Sequence, residues 1–246
     1  MTARVSLSTD MRPIQQLRAR SASYALLARC LGPDVTALED RATRDALRVA
    51  LRNANAREAL DELGAFELED LPDHDDLAAR WVRWFDLGRI APYEGSHRDV
   101  GAGGITPHLA DIAGFYAAFA SRVERDRPDH VVAQLEFLAL SLIAEAESSE
   151  HGDRDSAETA AGATRTFLRD HIGRWLGVWA DRVESVDTLA PWAPLARAAA
   201  ALVRSEATLR NVLIVHSPRP LGFGETDDAE DGGTGELECG GDSLWL

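Results

Sequence analysis

From Ile14 to Leu209 apolar residues return every three or four positions, and no segment alternates convincingly with period two. That spacing suits helices with one buried stripe and leaves little from which to build a sheet. Pro13 is placed to start the first helix, in which Ile14, Leu17, Tyr24, Leu27, Ala28 and Leu31 share a face until Gly32-Pro33 stops it. Asp34 is a suitable cap for a second helix, with Val35, Leu38, Ala42, Ala46, Val49 and Ala50 on its face. A shorter helix over residues 56–63 ends at Gly64. Leu77, Trp81, Trp84 and Phe85 form one further stripe, closed by Gly88. Thr106 and Pro107 suit the first turn of the helix carrying Leu109, Ile112, Tyr116 and Phe119, and Pro128 opens another carrying Val132, Leu135, Leu138 and Leu142. Thr164 to Trp179 reads as one long helix weakened by Gly173 and Gly177, and Leu195 to Leu209 as the last. Val212 to Val215 is a short, isolated β-like run. The fold class expected is therefore all-α, a single helical bundle over residues 12–211.

Residues 217–246 turn to Gly, Asp and Glu, which cannot bury enough apolar surface to fold, so a disordered acidic tail is expected there. The whole chain carries 41 acidic against 26 basic residues, and every basic residue is arginine. A net charge of -15 argues against nucleic acid or an anionic membrane as partner, because phosphate binding needs a basic patch, and it favours cationic partners. Cys30 and Cys239 have neither metal-site nor disulfide spacing. There is no signal-peptide core at the start and nowhere a run of 18 apolar residues, so a soluble cytoplasmic protein without stable membrane insertion is expected.

Function is concentrated between Leu77 and Glu147. Residues 88–105 hold five glycines and a proline, a length of loop that a compact domain seldom keeps unless it binds something. It carries Tyr93, Glu94 and Ser96; Trp81 and Trp84 precede it, and Asp129 and His130 follow at a helix start. Neighbouring helical residues point about 100° apart, so Asp129 and His130 do not form a dyad unaided. Two readings stay open: Asp129 stabilises the helix start while His130 packs, or both join the loop in an aromatic and acidic groove. Such a groove suits a peptide with arginine beside an apolar stretch, since carboxylates pair with guanidinium and aromatic faces accept cation and apolar side chain alike. Glu-x-x-His motifs on facing helices, as a di-iron bundle needs, do not occur, nor do His-Glu-x-x-His or a phosphate loop, so no metal or cofactor is expected. A small hydrolase using His130 as base with Asp129 or Glu136 is the competing class, and it lacks a recognisable nucleophile.

The helix ending Trp81-x-x-Trp84-Phe85, the loop Pro92-Tyr93-Glu94-Gly95-Ser96, the pair Phe115-Tyr116, and Arg127-Pro128-Asp129-His130 ahead of Leu135-Glu136-Phe137-Leu138 together resemble the TorD/DmsD/NarJ family of redox-enzyme maturation chaperones. Phe167-Leu168-x-x-His171-Ile172-x-x-Trp175 is similar to a later pattern of that family, and residues 95–99 look closest to its nitrate-reductase and delta-subunit branches. The resemblance implies an all-helical, non-enzymatic chaperone, monomeric or homodimeric. Its partner would be the apo catalytic subunit of a molybdopterin oxidoreductase of the dimethyl-sulfoxide-reductase superfamily. It would recognise that subunit's amino-terminal twin-arginine signal or remnant and hold it for cofactor insertion before export or membrane docking. The family's Asp-His pair maps onto Asp129 and His130, its loop aromatic and serine onto Tyr93 and Ser96, with Trp81 and Trp84 as apolar wall and Asp129 and Glu94 as expected guanidinium partners. The chain departs from the family where an acidic residue and proline often precede Asp-His: here Arg127 stands between Asp126 and Pro128.

Overall fold

A computed structural model describes residues 11–64, 71–101, 103–123, 127–186 and 191–215. The acidic tail and Cys239 lie outside these. Among the described residues there are helices and no strand, as the spacing predicts: α1 (Met11–Leu31), α2 (Thr36–Glu39), α3 (Arg41–Asn53), α4 (Arg57–Leu63), α5 (His74–Trp81), α6 (Ile105–Ala118), α7 (Val131–Glu150), α8 (Arg154–Asp170), α9 (Leu176–Glu184) and α10 (Ala193–Leu209). An isolated β-bridge joins Tyr93 and His130.

The centre of the bundle is α7, packed against α1 on one side and α8 on the other. Its Val131, Leu135, Leu138 and Leu142 are fully enclosed, which takes roughly 2 kcal/mol of apolar transfer per side chain out of water. Two buried polar contacts set the register: Ser21 Oγ donates to Ala139 O at 2.7 Å, and Thr164 Oγ1 donates to Ser141 Oγ at 3.0 Å. The alanine run Ala198 to Ala201 in α10 is buried, and α10 packs against α4 and α9. Arg210 bridges Glu206 of α10 and Glu145 of α7 at 2.5 and 2.6 Å, and Arg20 of α1 reaches Glu206 at 3.2 Å.

Four expected boundaries move, each for a local reason. The helix expected to open at Pro128 begins at Val131, because His130 is extended and caps it, so Asp129 and His130 precede the helix. The helix expected from Val35 to Ala50 is cut at Asp40, whose carboxylate accepts from Ala42 N and Thr43 N and so starts α3 afresh. The restart rotates the buried face to Thr43, Arg44, Leu47, Ala50 and Leu51, leaving Ala42, Ala46 and Val49 exposed. At α6, Gly104 takes a φ of 73°, and the helix begins at Ile105, so Thr106 sits inside the first turn instead of capping it. The long helix expected through Trp179 ends at Asp170, turns at His171 through a short 3-10 segment, Ile172–Arg174, and resumes as α9. Gly173 enforces that break. A Cβ there would stand 2.3 Å from Leu168 O and 2.7 Å from Ile214 Cδ1. The run 212–215 is irregular rather than β; it lies against this break, with Arg174 Nε donating to Val215 O at 3.1 Å.

Candidate functional site

After α5 the chain makes a π-helical turn, Val82–Asp86, in which each added residue advances less than in an α-helix. The tryptophan doublet is thereby divided. Trp81 is buried, donating from Nε1 to the carbonyl of Leu31 at 3.2 Å, one of the orphan acceptors at the end of α1. Trp84 is half-buried, with the Arg89 guanidinium 5.5 Å from its ring centre.

Trp81 lines a groove of about 850 Å³ whose walls include Val82, Tyr116, His130, Val132 and Phe137. Asp86 and Glu136 also face it. Glu136 is exposed, and desolvation by its apolar surroundings raises its pKa. Tyr116, buried against this wall, donates from its hydroxyl to Pro128 O at 2.6 Å.

The loop before α6 is built onto the start of α7. Glu94 N donates to Asp129 O at 2.9 Å and Val131 N to Pro92 O at 2.8 Å. Residues Glu94–Ser96 form a 3-10 turn. His97 stacks on Trp175 with ring centres 5.5 Å apart and its Nε2 2.6 Å from Ala91 O. Tyr93 meets His130 edge to face at 5.2 Å. His130 caps α7, accepting the Val132 N–H on Nδ1 at 3.1 Å, so that the ring is neutral with its proton on Nε2. Ser96 is half-buried and faces a separate cavity of about 390 Å³ bounded by Gly95, Arg98, Asp99, Ile105 and Arg127.

Both carboxylates expected to face a client are turned inward. Asp129 is fully enclosed; it accepts from Gly95 N at 3.1 Å and takes Arg127 at 3.0 Å on one oxygen and 2.7 Å on the other. The Arg127 guanidinium also lies 4.5 Å from the centre of the Tyr93 ring. Carboxylate and aromatic face thus form a guanidinium seat, and the residue by which the chain departs from the pattern it resembles sits in it. Asp129 and His130 point to different partners and are not assembled as an acid–base dyad.

Glu94 is enclosed as well, in a cluster that the sequence pattern did not reveal. Its Oε1 pairs with Arg98 at 2.7 Å and faces His108 Nε2 at 3.3 Å and His171 Nδ1 at 3.6 Å; its Oε2 accepts from Gln134 Nε2 at 2.5 Å. Gln134 in turn accepts from Trp175 Nε1 at 2.9 Å. Burial pushes the Glu94 carboxyl up, and protons on the imidazoles of His108 and His171, where these are turned towards it, more than offset this and bring it down to about 2. Glu94, His108 and His171 come from three segments, the loop, α6 and the break after α8, so no spacing rule brings them together. The only sequence sign was that His171 and Trp175 belong to the same recurring pattern.

A family profile described as the nitrate reductase delta subunit matches residues 50–181, more than half of the chain. The selenate reductase assembly chaperone protein of Thauera selenatis is 36% identical over 120 residues, covering 47% of this chain and 61% of the relative. The chlorate reductase assembly chaperone protein of Ideonella dechloratans is 34% identical over 119 residues, 46% of this chain and 61% of the relative. The chain therefore spans less than two thirds of the length of these curated relatives. No solved structure matches it. No helix among the described residues is long and apolar enough to cross a membrane. By the profile and by its motifs, the chain belongs to the nitrate reductase delta subunit family, among the TorD/DmsD/NarJ-like molybdoenzyme maturation chaperones.

Proposed function

We propose that the protein is a cytoplasmic, system-specific chaperone that binds the apo catalytic subunit of a molybdopterin oxidoreductase by its amino-terminal twin-arginine segment and holds it for cofactor insertion. The observation that carries this reading is the groove beside Trp81, with apolar walls and Asp86 and Glu136 at hand. An apolar stretch of the client occupies the groove, and its arginines meet those two carboxylates and compete with Arg127 for the seat formed by Asp129 and Tyr93. His130 belongs to both places, lining the groove and touching Tyr93. Glu94 and Ser96 serve indirectly, by holding the loop that presents Tyr93. Exposed ion pairs contribute only about 0–1 kcal/mol each, so useful affinity rests on the apolar contacts and the charges select. The family match and the assembly chaperones among the relatives support the same reading. Binding is non-covalent, and no step needs a nucleophile.

The test is affinity purification of the tagged full chain from the native cytoplasm while the oxidoreductase is being made, with co-purified chains identified by mass spectrometry. Recovery of a large molybdopterin-enzyme subunit is expected. A well-expressed bait that recovers none while that subunit is abundant overturns the proposal.

A further inference from the structure

The cluster around Glu94 has the makings of a metal site. Glu94, His108 and His171 are all buried, and one ligand atom from each lies within 4.8 Å of the others. In a tetrahedral zinc site with bonds of roughly 2.0–2.1 Å, neighbouring ligand atoms stand about 3.3 Å apart; here His108 Nε2 and His171 Nδ1 stand 3.3 and 3.6 Å from Glu94 Oε1. His108 Nε2 and both ring nitrogens of His171 are enclosed without an aligned hydrogen-bond partner. Buried polar atoms are normally satisfied, and leaving one orphaned is costly, so two imidazole nitrogens converging on one carboxylate oxygen call for an occupant.

The surroundings orient these groups. Gln134, held by Trp175, pins Glu94 Oε2 and so turns Oε1 toward the histidines. Behind His171, Asp111 Oδ2 lies 3.2 Å from Nε2, an ion-pair contact that is not aligned as a hydrogen bond. A negative charge on that side of the ring favours the proton on Nε2 and the Nδ1 lone pair towards Glu94, and a small rotation of the exposed Asp111 side chain would complete the carboxylate, histidine and metal order common in zinc sites. Arg98, 2.7 Å from the same Oε1, uses one lone pair and opposes a cation, which sets a modest affinity. Two imidazoles and one carboxylate suit a first-row divalent ion and not magnesium or calcium, which prefer oxygen.

We propose that Glu94, His108 and His171 form a structural site for a divalent transition-metal ion, zinc by class, which ties the loop, the start of α6 and the break after α8 into one unit. The proposal is independent of client binding.

The test uses the untagged full chain, stripped with chelator and titrated with Zn2+ in competition with a chromophoric chelator. One equivalent is expected to bind and to raise Tm. His108→Ala and His171→Ala should each weaken binding by about 30-fold or more, and Asp111→Asn by about tenfold. Arg98→Gln should tighten it, and the exposed His151→Ala should change nothing. X-ray absorption of the loaded wild type, which needs no variant to fold, should show two imidazoles in a nitrogen and oxygen shell. Equal affinity in wild type and the His108→Ala/His171→Ala double variant, a shell without imidazole, or a shell containing sulfur would each overturn the proposal.

Discussion

Arg127 occupies the carboxylate of Asp129 with both arms of its guanidinium, at 2.7 and 3.0 Å, and so fills from within the place where a client arginine would sit. Asp129 is fully enclosed, whereas the Arg127 side chain is 44% exposed, so the arginine is the member that can leave. Its departure exposes a carboxylate already fixed by Gly95 N and an aromatic face already set by His130. Arg127→Ala should therefore tighten binding of a twin-arginine peptide severalfold, as read by fluorescence anisotropy, with little loss of stability, since a half-exposed pair contributes about 1 kcal/mol or less. Asp129→Ala removes the buried acceptor of Gly95 as well and should lower unfolding free energy by about 1–3 kcal/mol. Unchanged or weaker peptide binding by Arg127→Ala would show that the client does not use this seat.

Gly173 and Gly177 look equivalent in the sequence and should behave oppositely. A Cβ at Gly173 collides with the Leu168 carbonyl and with Ile214, while one at Gly177, inside α9, meets nothing within 4 Å. Gly173→Ala should lower stability by about 3 kcal/mol through displacement of the break and of the segment carrying Ile214. Gly177→Ala should raise stability by about 0.5–1 kcal/mol, since alanine loses less backbone freedom on folding. Urea unfolding of both variants decides the matter.

These two glycines also mark how far the sequence could be read. Helical spacing identified the all-α class and most of the enclosed positions, because Leu27, Leu38, Leu77, Leu135 and Leu168 have no stable place except in a core. It did not place the break at His171, since only the folded approach of the Leu168 carbonyl and of Ile214 shows that residue 173 must lack a Cβ. Nor did it reveal that Asp40 would shift the buried face of α3, because a capping carboxylate inside an apolar pattern looks like any polar position. Of the site, Trp81 and His130 do share the groove and Tyr93 does touch His130. The partners of Glu94 and Asp129 were hidden, because His108, His171 and Gln134 lie on other elements and Arg127 is two residues from Asp129 with no sign of which way it folds.

Cys30 offers a test of the core by pH. Its thiol is 1% exposed, and burial pushes its pKa from 9.0 up to about 11, only partly countered by Arg29 and Arg44. A folded-state pKa above the unfolded value means that the unfolded chain releases the proton first. The contribution to stability is thus complete below pH 9 and declines as pH rises from 9 towards 11. The size is on the order of 2–3 kcal/mol over the whole window. Urea unfolding between pH 8 and 10, below the range in which the buried Tyr24 and Tyr116 ionise, should show declining stability in the wild type and a flatter profile in Cys30→Ala. Parallel profiles would mean that the thiol is not held neutral by the core.

The groove separates shape from charge as the source of client affinity. Trp81 supplies a wall and also holds the end of α1 through Leu31 O, so Trp81→Phe, which keeps much of the apolar surface and loses the hydrogen bond, should be compared with Trp81→Ala. Trp81→Ala is expected to weaken binding of the client peptide by about 10- to 100-fold, in keeping with loss of a buried aromatic anchor worth about 2 kcal/mol, and Trp81→Phe by much less. Glu136→Lys places a cation in the groove and should also weaken binding, mainly by slowing association and repelling arginine. Its control must alter net charge equally without touching structure. Asp73 is unsuitable, because its carboxylate caps α5 by accepting from Asp76 N. The exposed Glu158 on α8 serves instead. Should Glu158→Lys weaken the peptide as much as Glu136→Lys, the groove carboxylate has no specific role and the net charge of -15 alone attracts the client.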